Sequence, residues 1–303
     1  MNCKRVINYF FAVILCCLTF TTLPTNVVDK NSDLIEIIKS HIHFTLDMIE
    51  SLKTIRNSAA ASDKTVGLMG QWGDSNTNTA IFIEAWYNTP LNHTAYTGFN
   101  YWPILSWMGG GRTSMPNEGF KNLPYNGSGW GTNSIINMAQ EAIDAQKPSW
   151  VHLNIGTNDA AGLNAMDAAT YEVSLRSILD ITIENGVIPT LSTIICRESA
   201  IPQKPYRRFD RTIEFNNVIK KLSSEYKIPY IDLAGLFTDL YPDGGWNTIL
   251  LRDDIHYSYA QPKTGGNNGA AIRKEADLRM NGYELWNVLV AELALRLKEQ
   301  VFR

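Results

Sequence analysis

From residue 65 onward, short apolar runs alternate with longer stretches in which apolar residues recur every three or four positions. Residues 65–70, 150–155, 187–195 and 229–233 read as strands. They are short, apolar and rich in Ile, Val and Leu. Residues 133–146, 168–185, 211–226 and 283–301 carry helical spacing. In the first, Ile135, Ile136, Met138, Ala139, Ala142 and Ile143 form one apolar side, and Gly186 closes the second. Strands alternating with helices of this length predict a parallel sheet covered on both faces, an α/β fold in one domain.

Upstream, Ile35, Ile38, Ile42, Leu46, Ile49 and Leu52 follow at steps of three or four. They predict one N-terminal helix over 33–56, capped by Ser32 or Asp33 and lying outside the core of the alternating domain. Small residues 57–62 link it to the first strand. Two stretches break the alternation. Residues 88–125 are rich in Gly and aromatic side chains, and 257–271 carry a Gly/Asn-rich run. Loops of that length in a compact domain are functional or disordered.

The first residues follow another logic. Lys4 and Arg5 precede an uncharged, largely apolar run over 6–20, the pattern of a secretory leader. The run is short for a membrane span, so residues 1–25 are expected to be a signal peptide, 26–62 the N-terminal helix and linker, and 63–303 the main domain. An uncleaved N-terminal anchor is the alternative. Without the leader about 278 residues remain, enough for one large core. Three of the four cysteines lie in the leader, leaving Cys196 with no partner for an intramolecular disulfide. The net charge of −3 argues against nucleic acid, which needs a basic face. No Cys/His cluster has metal-ligand spacing, and no phosphate loop, G-x-G-x-x-G, H-E-x-x-H or G-x-S-x-G elbow occurs, so no cofactor and no metal are expected.

The candidate chemistry sits where strands end. The run 66–70 is soon followed by Gly73-Asp74-Ser75, which hands a serine to a tight turn at the carboxyl end of a strand, where open α/β sheets bind ligands. Gly156-Thr157-Asn158-Asp159 follows the next strand. Near the C-terminus, Asp253 stands three residues before His256. A serine, a histidine and an acid can form a nucleophilic triad: Ser75 as nucleophile, His256 as base, Asp253 orienting the imidazole. Among the five histidines, His41 and His43 fall on the N-terminal helix, His93 in an aromatic loop, and His152 inside a strand, where core packing suits it better. Asp254 competes with Asp253 for the acid's place.

Gly73-Asp74-Ser75, the glycine region 127–132, Gly156-Thr157-Asn158-Asp159 and Asp253-x-x-His256 occur in the order seen in the GDSL/SGNH hydrolase superfamily, which the chain resembles from about residue 64 onward. The resemblance implies a flavodoxin-like three-layer α/β/α sandwich and serine hydrolysis of esters. It selects Asp253 over Asp254, and it implies an oxyanion hole from the Ser75 amide, the Gly131 amide and the Asn158 side chain, with Gly129 and Gly127 as rivals to Gly131. Asn281-Gly282-Tyr283 and Trp286 resemble the segment that usually follows the histidine; here they come 25 residues later, an insertion beside the site.

Aromatic residues gather between Trp86 and Trp107, and Arg112 follows a glycine run. Trp102, Trp107 and Arg112 are candidate substrate contacts, with loop packing and a surface charge as the alternatives. The expected protein is a secreted or periplasmic serine esterase acting on a small-molecule or polysaccharide ester, most naturally an O-acetylated carbohydrate. It would have no nucleic-acid partner and no stable membrane insertion once the leader is removed. A lipase or lysophospholipase, a glycan O-acyltransferase and a non-catalytic glycan-binding protein are the alternatives.

Overall fold

A computed structural model describes residues 30–79, 82–83, 100–109, 126–160, 165–195, 209–241, 249–250, 256–257 and 281–303. The leader, Cys196, most of the loop 88–125 and the loop 258–271 lie outside them. The architecture is a five-stranded sheet between two helical layers. The strands are β1 (Ile42–His43), β2 (Thr65–Gly73), β3 (Pro148–Asn154), β4 (Ile188–Ser192) and β5 (Tyr230–Ile231), in the order β1-β5-β4-β3-β2. All neighbours are parallel except β1, which runs antiparallel along β5.

Helices α4 (Thr132–Gln146), α6 (Ala168–Glu184) and α7 (Phe209–Tyr226) pack side by side on one face. On the other lie α1 (Lys30–Ser40), α2 (Leu46–Arg56), α3 (Trp102–Met108) and the terminal α9 (Gly282–Gln300). The short α5 (Thr157–Ala160) and α8 (Leu233–Leu240) follow β3 and β5. Cover on both faces explains why every residue of β3 is buried and why the strand sequences do not alternate.

The N-terminal expectation needs correction. The predicted single helix over 33–56 is two helices broken by β1, and it is not peripheral. Ile42 is buried and pairs with Ile231, and Asp232 N donates to His41 O at 2.8 Å. An open sheet edge with unpaired backbone groups outweighs the helical spacing of this stretch. Leu34, Ile38, Leu52 and Ile55 then join the main hydrophobic core. Arg296 of α9 holds the corner by donating to Ile42 O and Lys39 O, both at 3.2 Å.

β2 begins with a bulge, its register shifting between Thr65 and Met69. Side chains satisfy the displaced backbone: Gly67 N donates to Ser149 Oγ at 2.9 Å and Trp150 Nε1 donates to Gly67 O at 2.8 Å. At the C-terminus of α6, Gly186 takes φ +70°, and a Cβ there would lie 2.3 Å from Ala61 N. Only glycine meets both demands.

Candidate active site

β2 runs three residues further than its apolar run indicates, to Gly73, so the serine turn starts directly at the strand tip. Gln71 and Trp72 are buried there. The Gln71 side-chain amide donates to Thr77 O, and the Gln71 backbone carbonyl accepts from Asn126 Nδ2 at 3.1 Å. The turn winds around Asp74. Its carbonyl accepts from Thr77 N (3.2 Å), Asn78 N (3.0 Å) and Thr77 Oγ1 (2.9 Å), while its Oδ1 accepts from Asn76 N at 2.8 Å. Burial pushes the Asp74 carboxyl up to about 6, against the pull of the Asn76 amide. Its Oδ2 is buried without a hydrogen bond of ordinary geometry, although the Thr157 side chain lies near enough to favour the ionised form.

Ser75 emerges half-buried from this turn, and its Oγ lies 2.7 Å from His256 Nε2. These two residues are 181 positions apart in sequence. The imidazole is held from behind by its neighbour. Tyr257 is 1% exposed and makes edge contacts with Tyr283 and Trp286, ring centroids 5.3 and 5.2 Å away. Leu250 pairs with Tyr257, and Gly282 lets Ile249 O approach so closely that a Cβ would sit 2.3 Å from it. Tyr283 Oη also donates to Asn76 Oδ1 at 3.3 Å, so the start of α9 braces the histidine and the serine turn together. Asp253 and Asp254 lie outside the described residues.

The glycine block joins the rim through Asn126, which bridges to Gly73, and through Gly127 N, which donates to Gly73 O at 3.3 Å. Gly131 is the N-cap of α4. A Cβ on it would fall 2.4 Å from Asp159 Oδ1, whereas Gly129 has open space around it. The Asp159 carboxylate accepts from Thr132 N at 3.1 and 3.0 Å and from Thr132 Oγ1 at 3.2 Å. Asp159 therefore clamps the first turn of α4, and Gly131 is small because the carboxylate needs its space. Asp159 closes the Gly156-Thr157-Asn158-Asp159 block, whose pattern alone gives it no task. The signal available was an acid placed to serve the N-terminus of a facing helix. Asn158, half-buried on α5, donates from Nδ2 to Trp130 O at 2.8 Å. That contact uses one of its two amide hydrogens and leaves the other. The Ser75 and Gly131 amides donate to no group among the described residues.

The aromatic expectations divide. Trp107 packs over Gly67 at the amino end of β2, stacks with Trp150 (6.3 Å) and meets Phe302 edge-on (5.3 Å). Gly67 and Ser75 are eight residues apart along an extended chain, roughly 25 Å at about 3.3 Å per residue. Trp107 is thus a packing residue and not a substrate contact, because the fold seats it at the opposite end of the sheet. Trp102, at the start of α3, is half-buried against the hydrophobic core, and Arg112 lies outside the described residues. His152 is a core residue as expected. Among the described residues no group of His, Cys, Asp and Glu could hold a metal ion, and no helix is long and apolar enough to cross a membrane.

A largely parallel α/β sandwich thus carries a serine hydroxyl beside an imidazole at its carboxyl rim, where such sheets bind ligands. Residues 106–260 match the model of the GDSL-like lipase/acylhydrolase family, and the chain belongs to that family, which makes it an ester-hydrolysing enzyme. The matched stretch contains Asn158, Asp253 and His256 and begins after Ser75. No curated protein matches the sequence. Among solved structures, a lipase/acylhydrolase from Enterococcus faecalis is 19% identical, with TM-score 0.50, over 75% of this chain and 95% of that one. A GDSL-like lipase from Bacteroides thetaiotaomicron is 13% identical, TM-score 0.42, over 81% and 98%. An acetylxylan esterase from Geobacillus stearothermophilus is 20% identical, TM-score 0.40, over 56% and 69%. Of these three, the Enterococcus faecalis protein is similar enough to show a shared fold.

Proposed function

We propose that the protein is an exported serine esterase that removes an acyl group, acetyl in the first instance, from a carbohydrate. The observation that carries this reading is the 2.7 Å contact between Ser75 Oγ and His256 Nε2. In the reaction, Ser75 Oγ attacks the ester carbonyl while its proton passes to Nε2. Asp253 holds Nδ1–H and stabilises the imidazolium. The oxyanion is met by the Ser75 and Gly131 amides and by the remaining N–H of Asn158, a set preorganised by the Asp159 clamp and the Trp130 carbonyl. Collapse breaks the C–O bond, and the alcohol leaves with the proton from Nε2. Water, deprotonated by His256, then attacks the acyl-serine and restores Ser75.

Export rests on the leader-like residues 1–20, and the carbohydrate on the aromatic enrichment between Trp86 and Trp107. Ser75→Ala should lower kcat on p-nitrophenyl acetate by roughly 10⁴-fold or more, since members of such a triad act as a unit. A fluorophosphonate probe should label the wild type and not the variant. Wild-type turnover by Ser75→Ala would end the serine mechanism. Faster cleavage of long-chain than of acetyl nitrophenyl esters would shift the assignment to a lipase.

A further inference from the structure

A cleft of about 340 Å³ opens between the first half of α7 and α8. Its volume falls within the range of small-ligand sites. It stands on the rim that carries Ser75, because four strand tips lie side by side there. Gly73 is paired with Asn154, Asn154 Nδ2 donates to Thr193 O at 3.4 Å, and Thr193 Oγ1 lies 3.2 Å from Asp232 Oδ1, at the cleft wall. Three steps between neighbouring strands, each about 4.8 Å, set the cleft roughly 14 Å across the rim from the serine turn.

The wall chemistry is mixed. Lys220 Nζ and Asp232 Oδ2 are 2.5 Å apart. Thr238 Oγ1 donates to Ala234 O at 2.9 Å and keeps its lone pairs for a ligand. Asn217 is exposed, and Asp239 offers a carboxylate whose Oδ2 is 3.2 Å from His41 Nε2. Ile194, Ile195, Ala234 and Ile213, the last 48% exposed, supply an aliphatic side. An acyl chain placed here would cover the aliphatic side but would strip water from Lys220 and Asp232 with no polar group to replace it. A sugar ring has hydroxyls that donate to carboxylates, hydroxyls that accept from Lys and Asn, and a C–H face for the aliphatic side.

We propose that this cleft binds the saccharide portion of the ester, several rings from the acyl group that Ser75 attacks; the inference rests on the function proposed above. The cleft is then a specificity subsite for oligosaccharide over monosaccharide esters. The test compares O-acetylated glucose, cellobiose and cellotetraose with p-nitrophenyl acetate, for the full chain and for Asn217→Trp and Thr238→Trp. Both positions are exposed, and an indole at either fills the cleft. Wild-type kcat/KM should rise with saccharide length, mainly through KM. Each variant should lower the ratio of kcat/KM on the tetrasaccharide ester to that on nitrophenyl acetate by about tenfold or more. A general folding defect lowers both numbers and leaves the ratio in place. A ratio within about twofold of wild type in both variants, or no gain with length in the wild type, overturns the cleft while the esterase stands. A wild type inert toward nitrophenyl acetate and every acetylated saccharide overturns the esterase reading itself.

Discussion

Asp74 and His152 are titratable, fully buried and close together, yet the protein treats them in opposite ways. His152 stands on β3 opposite Gln71 of β2, three residues before Asp74. Its ring is complete. Trp286 Nε1 donates to Nε2 at 3.2 Å, which leaves the hydrogen on Nδ1 for Thr190 Oγ1 at 3.0 Å, and Thr190 passes its own to Val151 O at 3.0 Å. Asp74, at the rim, has one oxygen satisfied and one without a hydrogen bond of ordinary geometry. The contrast is between these two groups and not between whole regions, since Gln71 Oε1, Trp72 Nε1 and Asn154 Oδ1 at the strand ends are also buried without partners. A turn wound around a buried carboxylate aims the serine, and the unsatisfied oxygen costs stability. Trp286 joins the two regions, bonding His152 with its N–H and supporting Tyr257 behind His256 with its ring.

The sharpest way to test that division is to injure each side alone. Asn158→Ala removes a proposed oxyanion donor from a half-buried position and should lower kcat about 10²–10³-fold, some 3–4 kcal/mol of barrier. The urea midpoint of unfolding should scarcely move. A variant whose loss of activity tracks a lower midpoint would return Asn158 to a structural role, as the tie to Trp130 O.

His152→Leu should do the reverse. It orphans the Trp286 N–H and one contact of Thr190, a cost of about 2–4 kcal/mol in unfolding free energy. The folded fraction should keep kcat within a few-fold of wild type. Burial pushes His152 down to about 3 from an ordinary 6.5. With the folded value depressed, the unfolded chain binds the extra proton between those limits. The contribution is therefore present above pH 6.5 and lost progressively as pH falls toward 3. Urea titrations from pH 7 to 4 should show wild-type stability falling more steeply than that of His152→Leu. Parallel slopes would mean that the histidine takes up its proton inside the fold.

How much of this was legible beforehand follows the same division. The strands and long helices of the sandwich were readable because burial on both faces writes continuous apolar runs and helical stripes. Ser75 and His256 were readable because turn and loop residues at strand ends stand apart from those runs. What escaped depended on contacts between distant segments. Nothing local in 33–56 announces that β5 needs a partner at its edge, so β1 was read as helix. Gln71 lies just past the apolar run, yet it belongs to the strand, with its side-chain amide held by Thr77 and its backbone carbonyl by Asn126 across the site. Asp159 required knowing that α4 begins beside α5. Trp107, in a stretch of aromatic residues, could not be told from a substrate contact until Gly67 was seen beneath it.

The smallest effect expected is also the one most specific to the rim. Asp74→Asn keeps an oxygen for the Asn76 amide and removes the ionisable group. The Asp74 carboxyl is raised from 3.8 to about 6 in the fold. With the folded value raised, its contribution is fully present below about pH 3.8 and is lost as pH rises through 6, the sign opposite to that of His152. At pH 7.5 the ionised Asp74 therefore weighs against folding. Replacing it should raise unfolding stability there by about 1–2 kcal/mol and change it little at pH 3.5. If the serine turn needs the open oxygen, kcat will fall as stability rises. Equal stability gains at both pH values would show that packing, and not charge, is what the rim gives up at Asp74.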